Sequence, residues 1–151
     1  MTKELNRYIR TASRGTKPKE ELTYDYGDGR YFYTNGFSAI IINEEPDFTP
    51  KGVNDKGVSK SLEKLNYPAS IPTLAEVKAE IRRRGIKRSD KGEQTLYRIA
   101  DYAKFNIFFI KDILEVLGYC HGYWDKDPYH GLKFVSDKGE ALLLCVRTKT
   151  P

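Results

Sequence analysis

The chain has 151 residues, 39% of them hydrophobic and 31% charged, with a formal net charge of +5. That length suits one domain whose core buries roughly 68–70% of the unfolded surface, and the composition excludes a disordered chain; two cysteines, Cys120 and Cys145, exclude a disulfide scaffold. The longest apolar runs, residues 39–42 and 141–146, are far too short to span a bilayer and the first residues lack an apolar leader, so a cytoplasmic protein with no membrane partner is expected.

Charge is unevenly spread. Residues 1–19 hold six Lys/Arg against one acid, residues 20–81 six against eleven, residues 82–104 eight against three, and residues 105–151 six of each. Two separated basic blocks point to a polyanionic partner; the plain alternative is a surface of solvated lysines and arginines.

In chain order, the first element is a helix. Thr2 is its N-cap, and Leu5, Tyr8, Ile9 and Ala12 form one apolar stripe, while Lys3, Arg7, Arg10 and Arg14 form a second stripe centred on the opposite side. Gly15 and Pro18 end it. An aromatic hairpin follows, Leu22-Thr-Tyr-Asp-Tyr pairing with Tyr31-Phe-Tyr-Thr across Gly27-Asp-Gly29, and a second turn at Asn35-Gly36 leads into the buried strand Phe37-Ser-Ala-Ile-Ile-Ile42. Residues 43–72, punctuated by Pro46, Pro50, Pro68 and Pro72, read as a long loop with one short helical turn near 61–65. The next helix opens on the capping box Thr73-Leu-Ala-Glu76, has a narrow apolar seam of Leu74, Val77 and Ile81, and ends at Gly85. Arg82, Arg83, Arg84, Lys87, Arg88 and Lys91 crowd its last turn and exit, more cations than the helix dipole requires.

After Gly92 the pattern starts again. A strand begins at Thr95, and Phe105-Asn106 opens a helix running to Gly118 with Phe109, Ile113, Val116 and Leu117 inward and Lys111, Asp112 and Glu115 outward. A strand at 119–124 and a hairpin turning at Asp137-Lys-Gly139 complete the chain. The expected fold is a single α+β domain over 1–151 with its helices packed on one face of an antiparallel sheet. Its form is duplicated: residues 1–43 as first half, 44–92 as connector with one helix, 93–151 as second half.

That order, and the C-terminal motifs in particular, resembles the DNA sliding clamp family, the bacterial polymerase β-clamp fold and its phage relatives. The resemblance is carried by Phe105-Asn106, Asp112-Ile-Leu-Glu-Val-Leu117, Gly131-Leu-Lys-Phe134, Gly139-Glu-Ala-Leu-Leu-Leu-Cys-Val-Arg147, and by Tyr33-Thr-Asn-Gly-Phe-Ser-Ala-Ile in the first half. It covers residues 1–43 and 95–148; residues 44–92 have no counterpart, Cys145 and His130 stand where the family has proline, and a bacterial clamp subunit has three such domains. The resemblance implies a clamp-like duplicated fold whose helices face duplex DNA, and a phage or mobile-element origin. Encirclement would need a homo-oligomer.

No enzyme constellation stands out: Gly27-Asp-Gly29 is a turn, not a phosphate loop. Cys120, His121, His130 and Cys145, with Asp125 and Asp127, match no common zinc spacing, so no cofactor or metal is expected; Trp124 and the tyrosines suit a sheet core as well as base stacking. The reading is a non-enzymatic protein that binds DNA non-specifically through Lys3, Arg7, Arg10, Arg14, Arg82, Arg83, Arg84, Lys87 and Arg88. The alternative partner is a host nucleic-acid-processing protein such as a nuclease, bound by a phage-encoded inhibitor of anti-CRISPR type; a DNA mimic is disfavoured because only residues 20–81 are net acidic.

Overall fold

Alternation along short strands and turn residues between them build the sheet. The computed structural model describes residues 1–13, 17–100 and 103–146, with the side chains of 11–13 outside that description. In chain order the elements are α1 (Lys3–Ser13), β1 (Thr23–Asp25), β2 (Tyr31–Thr34), β3 (Ser38–Ile42), α2 (Val58–Glu63), β4 (Tyr67–Ala69) and α3 (Leu74–Arg84). They continue as β5 (Leu96–Ile99), β6 (Ala103–Asn106), α4 (Ile107–Leu117), β7 (His121–Trp124), β8 (Leu132–Ser136) and β9 (Gly139–Leu143). Seven strands form one antiparallel sheet in the order β1-β2-β3-β9-β8-β7-β4, and β5-β6 is a separate hairpin. No helix among the described residues is long and apolar enough to cross a membrane.

The local signals act as the residue types require. Thr2 caps α1, its Oγ1 accepting from Leu5 N at 3.3 Å. Thr73 and Glu76 close a reciprocal capping box on α3, and the Asn106 side chain accepts from Phe108 N to open α4. Gly27 and Gly29 supply positive φ between β1 and β2, as Gly36 does between β2 and β3, whereas the β8-β9 turn is Asp137-Lys138 and Gly139 falls in β9.

Pairing aligns a row of side chains across the sheet: Tyr33 faces Ile40, Ile40 faces Ala141, Ala141 faces Phe134, and Phe134 faces Gly122. Tyr33, Ile40, Ala141 and Phe134 are fully buried under Leu5 and Tyr8 of α1, Val77 of α3 and the apolar body of α4. Gly122 is required at the end of the row, because a Cβ there would lie 2.5 Å from the Ile71 side chain and 2.7 Å from the Ala69 carbonyl.

The expectation that all helices share one face is corrected. Phe32, Ala39, Ile41 and Leu142 point to the other side of the sheet and form a second buried cluster with Leu62 of α2 and Leu65. The cause lies in β3, whose five residues are all buried; a central strand apolar on both faces needs cover on both. The stretch read as a long loop also holds more order than expected, since β4 joins the sheet edge by pairing Tyr67 with Trp124 and Ala69 with Gly122. The outward placing of Asp112 and Glu115 is corrected as well: Asp112 is 2% exposed and the Glu115 side chain 10%.

Phe134 sits at the middle of the inner row. Phe134→Ala is expected to cost about 3–5 kcal/mol through lost burial and an unfilled cavity, read as a lower denaturant midpoint at an unchanged slope.

Candidate nucleic-acid interface

Helix α4 is apolar on nearly every side: Ile107, Phe108, Ile110, Ile113, Leu114, Val116 and Leu117 are all buried. It lies between α1 and α3 and above the sheet. Its polar residues, Lys111, Asp112 and Glu115, lie along one narrow line, and the basic blocks meet there. From the exit of α3, Arg88 forks onto Asp112, Nη1 to Oδ2 at 2.8 Å and Nη2 to Oδ1 at 2.6 Å, with its guanidinium over the Phe108 ring at 5.3 Å. From α1, Arg7 donates to Oε2 of Glu115 at 2.8 Å, and Lys111 reaches Oε1 of the same carboxylate at 3.0 Å. Burial alone would raise the Glu115 carboxyl; the Lys111 hydrogen bond and the charges of Lys111, Arg7 and Lys78 outweigh it and hold it below its ordinary value. Burial also lifts the Tyr8 hydroxyl of α1 well above its usual range, and the Asp112 charge adds to the lift.

The residues expected to bind therefore divide. Lys3, Arg10, Arg82 and Lys87 are exposed. Arg7 and Arg88 are exposed but ion-paired to α4. Arg83 pairs with Glu80, as does Arg84 at 2.8 Å, and the hydrogen bonds from Arg83 and then Arg84 hold the Glu80 carboxyl down at about 2. Arg84 also donates to the carbonyls of Gln94 at 3.2 Å and Leu96 at 2.7 Å, which makes it a fastener of the following loop. Arg14 lies outside the described residues. Lys78, whose charge acts on Glu115, was missed; Lys111, read as outward but left out of the expected contacts, pairs with Glu115 at i,i+4 spacing.

The basic surface has an acidic border. A cleft of about 520 Å³ beside Glu115 is lined by Thr2, Glu4, Glu44 and Asp137, with Lys138 the one cation among its described residues. A polyanion is repelled from that side.

The residues weighed as metal ligands are placed otherwise. Cys120 is buried, which pushes its thiol up to about 11, and it donates to the Gly118 carbonyl at 3.4 Å. His130 Nδ1 lies 2.5 Å from Asp125 Oδ2, and Nε2 lies 3.5 Å from Asp127. Among the described residues no group of three or more His, Cys, Asp or Glu is arranged to hold a metal ion.

No protein-family model, curated protein or solved structure matches the chain.

Two predictions follow from the pairs. Arg88→Met leaves the Asp112 carboxylate buried and unpaired, which should cost about 3 kcal/mol; Arg88→Met with Asp112→Asn should recover much of that loss in the same denaturant titration. His130 is raised above its ordinary value by its hydrogen bond to Asp125 and the Asp125 and Asp127 charges, with Lys64 opposing. A raised histidine stabilises the fold fully below the unfolded value near 6.5 and loses that contribution as pH rises through the folded value. Proton NMR should find His130 titrating above the ordinary value, and Asp125→Asn should bring it down.

Proposed function

We propose that this chain is a non-enzymatic, sliding-clamp-like protein of phage or mobile-element type that associates with DNA through its helical face without reading sequence. The observation that carries the reading is the meeting of two basic blocks, distant in the chain, over α4: Arg7 and Arg88 land on carboxylates one turn apart, and Lys3, Arg10, Arg82 and Lys87 of the same blocks are exposed. Exposed cations on elements packed against one helix suit phosphate contacts, which position a protein on a duplex without sequence information. The element order supports the clamp-like part. A helix followed by a three-stranded meander occurs as α1-β1-β2-β3 and again as α4-β7-β8-β9, the two last strands pair at the centre of the sheet, and the two helices pack together.

A second reading, a phage-encoded inhibitor bound to a host nuclease or related enzyme, is favoured by a different surface. Phe37, Tyr129 and Leu144 are 61%, 58% and 46% exposed around a groove of about 320 Å³ that also takes in Phe109, Cys145 and Val146. Clustered apolar exposure of this kind marks protein contacts.

Titration of a labelled duplex over a salt series tests the first reading. With six cations on phosphates, log affinity should fall against log salt with a slope near −5, about −0.9 per contact. A flat response excludes it. Light scattering that gives a monomer at every concentration, with and without duplex, excludes a ring. A host protein retained in a pull-down after nuclease treatment supports the inhibitor.

A further inference from the structure

Seven large hydrophobic side chains stand exposed among the described residues, and four of them, Phe37, Tyr129, Leu144 and Val146, share one groove. They supply on the order of 300 Å² of apolar surface, the size at which a patch on a single chain is often functional. The turn between β2 and β3 fixes how Phe37 is held. Asn35 Oδ1 accepts from Phe37 N at 2.9 Å, from Ser38 N at 2.8 Å and from Ser38 Oγ at 3.0 Å. The Phe37 carbonyl in turn accepts from Leu144 N at 3.2 Å. The Phe37 ring stacks on that of Phe109, with centroids 5.4 Å apart and planes 15° apart. One ring face is thus covered, and the 61% of Phe37 left exposed is its other face and edge. A side chain held in this way has little freedom left to lose on association.

The charge around this groove indicates its occupant. None of its described lining residues is charged, so it offers a polyanion nothing to bind. Two chains of net charge +5 repel over much of their surfaces and can approach where charge is absent. The shape suits self-pairing as well. A two-fold contact must be its own complement, and this patch has both a protruding ring and a groove of about 320 Å³. Both edges of the seven-stranded sheet are guarded, by Pro68 in β4 and by the backbone of residues 51–52 along β1. The area agrees with a weak pair. A standard interface takes about 800 Å² from each partner, of which this patch forms the apolar centre. An adjoining groove shares Phe37 and Leu144, and Lys56, the one charge among its described residues, belongs to the rim.

We propose that this patch is a dimer interface, on which a second copy of the chain docks about a two-fold axis with each Phe37 entering the other copy's groove. The proposal gives to a second copy the surface that would otherwise serve a host protein. It stands independently of DNA binding, because none of the residues expected to contact DNA lines the groove. A two-fold contact closes at two copies, so by itself it makes a dimer and not a ring.

The test is sedimentation velocity on the full chain over a concentration series, at low and high sodium sulfate, with wild type, Phe37→Glu, Leu144→Glu and Val53→Glu. Wild type should dimerise in the micromolar range, and the dimer should hold or tighten in sulfate, as apolar burial does. Phe37→Glu removes the anchor and sets like charges facing each other. It should weaken the dimer roughly thirtyfold or more, the level that marks a hot-spot side chain, with a thermal melt near that of wild type. Val53→Glu makes the same charge change at a residue that is 87% exposed and lines neither groove, and should leave the dimer unchanged. Should Phe37→Glu fail to fold, Leu144→Glu, at a position 46% exposed, decides in its place. A wild type that is monomeric at every concentration overturns the proposal. So does a dimer that the groove variants leave intact, that Val53→Glu weakens equally, or that sulfate dissociates. A monomeric wild type that retains a host protein, lost in Phe37→Glu, overturns it in favour of the second reading. The duplex titration judges DNA binding separately, whichever of these results is found.

Discussion

Helix α4 carries two carboxylates into a setting where apolar side chains surround it on almost every side, and each must find a cation from another part of the chain. Asp112 takes Arg88 and Glu115 takes Arg7 and Lys111. Burial of unpaired carboxylates here would cost several kcal/mol each, roughly, so these contacts constrain where the neighbouring segments lie. α1 is held at Glu115 and the segment after α3 at Asp112. The electrostatic need of the core thus dictates the surface: two basic blocks far apart in sequence are drawn over the same helix. The charge gathered there, which supports the proposed binding to DNA, follows from a folding requirement.

Much of the fold was legible because it rests on local chemistry. The capping box at Thr73 and Glu76, the Asn106 cap and the glycine turns each act within a few residues, and each element they bound is present. What escaped was set by distance. Arg88 and Asp112 are 24 residues apart, and Arg7 and Glu115 are 108 apart; no periodicity reports such pairs. β4 escaped for another reason, since three residues with Pro68 at their centre offer no alternation to count. The cover on the second face was readable in principle. An unbroken Ala-Ile-Ile-Ile run is apolar toward both sides of a sheet, and it called for a partner that α2, only six residues long, supplies through Leu62.

The two free edges of the sheet bear on how copies of the chain can meet. On β4 the proline at position 68 has no N–H to offer a further strand. Along β1 the segment at 51–52 already occupies the backbone: Gly52 N donates to the Thr23 carbonyl at 2.9 Å and Lys51 N to that of Glu20 at 2.7 Å. Position 52 must be glycine for this approach, because a Cβ would lie 2.5 Å from the Thr23 oxygen. Both edges are therefore guarded in the way that natural sheets avoid joining edge to edge. A ring closed at either edge of the seven-stranded sheet would have to do so through side chains rather than by continuing the hydrogen-bond ladder.

The crowding of cations after α3 also resolves into distinct tasks. A helix C-terminus gains only a few tenths of a kcal/mol from each nearby cation, which does not account for six of them between Arg82 and Lys91. Arg84 ties the helix end to the carbonyls at 94 and 96, Arg83 and Arg84 share Glu80, and Arg88 neutralises Asp112. Arginine suits these structural positions because its planar fork can satisfy two acceptors at once, which an ammonium does with less geometric control. Lys87 and Lys91 stay on the solvent side, where a compact, mobile charge can follow a phosphate backbone without a fixed register. Arg83, Arg84 and Arg88 thus fix the surface, while the exposed Arg82, Lys87 and Lys91, on the proposed reading, meet the polyanion.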